Sequence, residues 1–147
     1  MAKPYTQNRK ASFDYQISEK FEAGISLTGH EVKAIKAGKM ILDGAFVVVQ
    51  DGSAQLLNAQ IQPYQPNNTP EGYDPSRTRQ LLLHKKEIAE IIKAKEGSNL
   101  TVIPVSVYNK GNKIKLEIGL AKRKKKIDKR DSIKKRDFER REKRIIR

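Results

Sequence analysis

The chain has no cysteine, so disulfides and thiolate metal sites drop out at once. It has only two histidines, His30 and His84, each beside an expected helix start. Neither has a second histidine at metal-ligand spacing, so polar capping or surface contact is expected of them, and no metal or cofactor. No apolar run approaches the ~20 residues that span a bilayer. The opening MAKPYTQNRK has no apolar stretch after its charges, as a secretory signal requires. The expected compartment is therefore the cytoplasm, with no membrane partner. There is no G-x-S-x-G elbow, Walker-type loop or dinucleotide fingerprint. Glu22, Glu31 and Glu117 are expected on separate elements, where charged strand faces account for them more simply than acid–base chemistry. No catalytic residue is assigned, and an enzyme is not expected.

What the chain has in excess is positive charge: 31 Lys and Arg against 17 Asp and Glu in 147 residues, net +14. The distribution is uneven. The ending KRKKKIDKRDSIKKRDFERREKRIIR, residues 122–147, holds fifteen basic and five acidic residues, leaving sixteen and twelve for residues 1–121. A mildly basic body, 1–121, thus precedes a strongly basic tail, 122–147. A body of this size fits one domain with a real core. Such a charge imbalance points to a polyanion. Nucleic acid is favoured, because neutralising phosphates releases condensed counterions. A membrane-lying helix needs a broad apolar face. In the tail only Ile127, Phe138 and Ile145 share a side at 100° per residue, while Ile133 and Ile146 point elsewhere.

Within the body, period-two patterns dominate. In KIKLEIGLA, Ile114, Leu116 and Ile118 alternate with charged residues, as on a half-buried strand. LTVIPVSVY precedes it across Asn109-Lys110-Gly111-Asn112, which reads as a hairpin. AFVVVQ and SAQLLNAQI flank Asp51-Gly52, a pair suited to primed hairpin turns. FDYQI and KFEAGISLTG read as two further strands, with Gly24 marking a bend in the second. Two helices interrupt: Glu31 to Gly38, and LHKKEIAEIIKAKEG with Ile88, Ile91 and Ile92 on one side. The Pro-rich connection QPYQPNNTPEGYDPSR is long enough to be either functional or disordered. The expected fold is mainly β with added helices. Its core is a six-stranded antiparallel barrel of the oligonucleotide-binding kind, with two or three flanking helices.

Several ordered motifs resemble the small protein B family, the protein partners of tmRNA in bacterial ribosome rescue. They are Asn8-Arg9-Lys10-Ala11, FEAGISLTGHEVK from Phe21 to Lys33, Asn58-Ala59-Gln60-Ile61, DPSRTRQLLLHKKE from Asp74 to Glu87, GLAKRKKK from Gly119 to Lys126, and Asp128-Lys129-Arg130. The resemblance implies an oligonucleotide-binding barrel that binds the tRNA-like domain of tmRNA as a monomer in a 1:1 complex. It also implies entry into a stalled ribosome, with the basic tail reaching into the empty messenger channel at the decoding region. Three positions depart from the family pattern. Arg123 stands where Gly is common, and a positive φ there would strain it. Ile127 stands where His or an aromatic residue is frequent, and Gln80 where a basic residue is common.

With the resemblance, RNA contact is expected of Asn8, Arg9 and Lys10, which otherwise read as a solvated arm before the first strand. The same holds for Glu22 and Lys33. Strand alternation turns one of Leu81, Leu82 and Leu83 away from its neighbours, and Leu82 is the one expected to pack on RNA. Lys115, Lys122, Lys124 and Lys125 are expected to cluster at one barrel end as a phosphate-binding patch. In the tail, Asp128, Lys129, Arg130, Lys134, Arg136, Phe138 and Ile145 are the expected ribosome-binding residues. Asp131/Lys135, Asp137/Arg141 and Glu139/Lys143 run acid to base at i, i+4, the favourable helical orientation. Each pair adds only ~0.2–0.5 kcal/mol, so the tail is expected to be disordered when free and helical on the ribosome. The alternatives are a structural ribosomal protein or general RNA-binding translation factor, and an RNA-modifying enzyme.

Overall fold

The computed structural model describes residues 4–65, 67 and 70–124. In chain order these form β1 (Thr6–Gln7), α1 (Arg9–Asp14), β2 (Tyr15–Ile25), α2 (Gly29–Lys36), β3 (Met40–Ile41) and β4 (Phe46–Gln50). There follow β5 (Ser53–Leu57), β6 (Gln60–Ile61), β7 (Arg79–Leu82), α3 (Lys85–Lys95), β8 (Thr101–Lys110) and β9 (Lys113–Arg123). Six strands close into an antiparallel ring in the order β8-β4-β5-β7-β2-β9, with β9 returning to β8. The architecture is the expected one: mainly β, a six-stranded oligonucleotide-binding-like ring with three helices outside. Outside the ring, β1 lies along the far end of β8, and β3 pairs with β6 as a separate ribbon. Closure satisfies the strand edges that an open sheet would leave bare.

The ring follows from the alternation. Phe21, Ala23 and Ile25 of β2, Val47 and Val49 of β4, and Ala54 and Leu56 of β5 all point inward to meet Leu116, Ile118 and Leu120 of β9. Asp51 and Gly52 take φ of 51° and 75°, the primed-turn geometry that suits strand twist. α2 begins with a capping box: the Thr28 hydroxyl accepts from the Glu31 N–H, while the Glu31 carboxylate accepts from the Thr28 N–H. It stops at Gly38, whose φ of 77° suits a residue without a Cβ. α3 carries Ile88 and Ile91 into the core. A second small core, Ala11 with Ile103 and Ala121 beside Tyr15 and Ile17, seats α1 on the outside of the ring.

Several sequence expectations need correcting. The two strands expected over FDYQI and KFEAGISLTG run together as one, β2, which covers only Tyr15–Ile25: Phe13 and Asp14 belong to α1 and Gly29 to α2, and the register on β9 shifts between Ile17 and Glu19. That irregularity lets a single long strand wrap the ring. Gly24 is not a bend but is paired with both Leu82 and Lys115. The segment around Asn8, expected to contact RNA, is folded onto the ring: Asn8 caps α1, its side-chain oxygen accepting from the Ala11 N–H and its amide donating to the Pro104 carbonyl at 2.9 Å.

Glu31 was expected on a charged face and is instead completely buried, together with Arg79. Arg79 Nε donates to Glu31 Oε2 at 2.9 Å, and its other nitrogens donate to the carbonyls of Ala59, Arg77 and Pro75. Arg77 grips the same carboxylate through Nη2 and through Nε at 3.1 Å. The Tyr73 hydroxyl joins them and donates to the Ile61 carbonyl at 2.8 Å. Burial alone would push the Glu31 carboxyl up, yet the hydrogen bonds from Arg77, the Thr28 N–H and Arg79 outweigh it and hold it at about 2. The part of the Pro-rich connection around Tyr73 is thereby anchored to the ring.

Candidate nucleic-acid interface

Strand pairing places a row of side chains on one outer face. Gly24 lies between Leu82 of β7 and Lys115 of β9, and Lys115 faces Tyr108 of β8. The neighbouring row holds Glu22, Glu117 and Ser106. Leu81 is buried, Leu83 half-buried and Leu82 59% exposed, the most exposed large apolar side chain among the described residues. The alternation argument for Leu82 holds. Gly24 supplies a floor for it: a Cβ there would come within 3.2 Å of Leu82 Cβ.

This face is continuous. Leu82, Gln80, Glu22, Glu87 and Lys115 line one groove, and Glu22 is shared with the next, lined by Tyr108, Lys110, Gln7 and Glu117. Gln7, Ser106 and Glu117 are shared in turn with a third groove that reaches Arg9 and Lys20. A track therefore runs from Leu82 to the start of α1. The acids along it are engaged. Glu22 accepts from the Tyr108 hydroxyl at 2.5 Å and from Lys110 Nζ at 3.0 Å, Glu117 lies 3.6 Å from Lys20 Nζ, and Glu87 accepts from the His84 N–H. The Tyr108 hydrogen bond, then Lys110, hold the Glu22 carboxyl below its ordinary value. Burial and Glu22 push the Tyr108 hydroxyl up. Lys110 offsets the charge of Glu22 and so weakens its repulsion of a phosphate chain. Arg9 and Lys115 enter no ion pair among the described residues, leaving them available to an anion.

The sequence-derived residues are not all brought together. Lys115 and Lys122 do not share a barrel end. Lys115 faces Gly24 whereas Lys122 faces Gln16, and seven strand residues at ~3.3 Å each separate them by roughly 23 Å. Asn8 is buried by its capping role, so its amide is used within the protein. Arg9 and Lys10 are exposed on α1. Lys33 lies on α2 beside His30, Lys36 and Tyr64, in a groove that shares no lining residue with the track. The Lys124 N–H donates to the Asp14 carbonyl at 2.8 Å, so the chain leaves the ring beside α1. Lys125, Asp128, Lys129, Arg130, Lys134, Arg136, Phe138 and Ile145, and the Ile127 departure, lie outside the described residues. Arg123 ends β9 opposite Tyr15 in paired, extended backbone, and its φ is not positive, so it is not strained there. Tyr108 and Lys110 were missed, although alternation in VSVYNK, with Val107 buried, already turned them outward.

The family model described as SmpB protein matches residues 5–147. The chain belongs to the SmpB family. The chain is 49% identical over 134 residues to the SsrA-binding protein of Leuconostoc mesenteroides, covering 91% of this chain and 86% of that one. It is 50% identical over 135 residues to the SsrA-binding protein of Mesoplasma florum, covering 92% and 91%. Among solved structures, a chain from a structure described as tmRNA-SmpB at the center of the bacterial ribosome superposes with a TM-score of 0.68 at 41% identity. That likeness covers 82% of this chain and 85% of that one.

Proposed function

We propose that this protein binds the tRNA-like domain of tmRNA through the Leu82–Arg9 track and delivers it to stalled ribosomes. It acts as a non-enzymatic, cytoplasmic adaptor in a 1:1 complex. The observation that carries this reading is the exposed Leu82 seated over Gly24, flanked by Glu22 and Lys115 at the head of the continuous groove. An apolar side chain beside a hydrogen-bond acceptor and a cation suits structured RNA, which is met by stacking, shape and phosphate contacts. Likeness to SsrA-binding proteins and to a structure described with tmRNA supports the choice of RNA.

The two-part division follows: residues 1–121 bind tmRNA, and the tail, 122–147, engages the ribosome. In this proposal the tail enters the messenger channel only when no messenger occupies it, and becomes helical there. Sequencing the RNA that copurifies with the protein from its native host tests the function directly. Enrichment of tmRNA is the expected result. Ribosomal RNA alone, in equal measure with every ribosome, would overturn it in favour of a structural ribosomal protein.

A further inference from the structure

The ring has a narrow joint where the Leu82 end of the track is formed. β7 meets β2 through only two residue pairs, Leu82 with Gly24 and Leu81 with Ile25, plus the Ser26 N–H donating to the Gln80 carbonyl at 2.9 Å. Along β7, Arg79 and Leu81 point inward while Gln80 and Leu82 point outward. A slip of one residue would bury Leu82 and turn Leu81 out, since side chains alternate with period two. The joint has little pairing of its own to resist this, so the register of β7 rests on its other edge, where Arg79, Gln80 and Leu81 pair with β5, and on whatever holds Arg79 itself.

The buried Glu31 carboxylate lies beside this joint and holds both of its sides. From β2, the chain passes Ser26 and Leu27 to Thr28, whose N–H donates to Glu31 Oε1 at 3.0 Å. From the β7 side, Arg77 and Arg79 donate to both carboxylate oxygens. Arg79 is itself the first residue of β7 and is fixed from three further carbonyls. A carboxylate accepting from a planar guanidinium is directional, so it sets a position and not merely a proximity. We infer that Glu31 is a positioning residue of the RNA site: it clamps the β2–α2 corner to the start of β7 and thereby fixes Leu82 over Gly24, opposite Lys115. This rests on the reading of the track as the tmRNA site. It assigns a role in binding to a group that touches no RNA.

The test compares three variants of the full chain against a transcript of the tRNA-like domain of tmRNA. Glu31→Gln removes the charge that two guanidiniums share and risks misfolding. Arg77→Ala is the safer variant, because Arg77 is 36% exposed and its loss leaves a neutral Glu31–Arg79 pair. Ile91→Val, in the core under α3, serves as a control for general loss of stability. At a temperature where all are folded, Arg77→Ala should weaken RNA binding at least threefold, and Glu31→Gln, where it folds, about tenfold. The dependence of affinity on salt should stay as in the wild type, since no phosphate contact is lost. Hydrogen exchange at the Ser26 amide should quicken in the same variants. Affinity within twofold of wild type in Arg77→Ala overturns the inference. So does a salt slope reduced by about one contact, which would make Arg77 a direct phosphate ligand, or an equal affinity loss in Ile91→Val. Absence of RNA binding by the wild type would sink the functional reading instead, while Ser26 exchange would still report on the clamp.

Discussion

Single residues in this protein are governed by whether their polar groups find partners. Glu31 keeps its charge in a completely buried position because Arg77, Arg79 and the Thr28 N–H converge on it. Its carboxyl lies at about 2 in the folded chain against an ordinary 4.5. The stabilisation is therefore fully present above about 4.5 and is lost as pH falls through about 2. A shift of this size corresponds to on the order of 3 kcal/mol. Urea unfolding from pH 6 to pH 2 should show the wild type losing stability on acidification, and Glu31→Gln, if it folds, losing much less over that range. Parallel curves would remove Glu31 from the acid response. Leu82 presents the opposite case. Being mostly exposed, it should tolerate Leu82→Ala within about 0.5 kcal/mol of stability while RNA affinity falls several-fold. Equal RNA binding by that variant would take Leu82 out of the site.

Among the elements, the long β2–β9 pair is the least forgiving. Gly119 lies where a Cβ would come within 2.7 Å of Ile17 Cγ2, beside the register shift in β2. Gly119→Ala should cost about 1–3 kcal/mol through overpacking, read as a lowered thermal midpoint by circular dichroism; an unchanged midpoint would mean that Ile17 has room to move. The expected tail helix is tested at Glu139. Proline there removes a backbone donor and costs ~3 kcal/mol inside a helix, but little in a disordered chain. Glu139→Pro should leave folding and tmRNA binding intact and abolish tagging on stalled ribosomes. Glu139→Ala, which deletes the same acid but keeps helix propensity, should be much milder. If the two support tagging equally, the tail acts as an unstructured polycation.

For the whole molecule, the mildly basic ring and the strongly basic tail should separate in function. Truncation after Arg130 should leave affinity for the tRNA-like domain within a few-fold and abolish tagging, and loss of RNA binding would contradict the two-part division. Much of this plan is legible in the residues alone, where the information is local. Alternation in KIKLEIGLA and AFVVVQ, the Asp51-Gly52 turn and the ends of α2 and α3 concern neighbours a few residues apart, and period and turn geometry determine them without reference to the fold. The outward turn of Leu82 is of the same kind, and the charge of the tail needs no structure at all. Other features are decided only when distant segments meet. Glu31 and Arg79 lie 48 residues apart, and in sequence each is an ordinary surface charge. Burial becomes affordable for them only once ring closure brings donor and acceptor together. Lys115 and Lys122 look like one basic patch in the chain, but an extended strand carries them to different ends. The continuity of the track from Leu82 to Arg9 likewise depends on the register of five strands, β7, β2, β9, β8 and β1. Register is a non-local property, set by which face each strand must bury, and only the assembled ring could decide it.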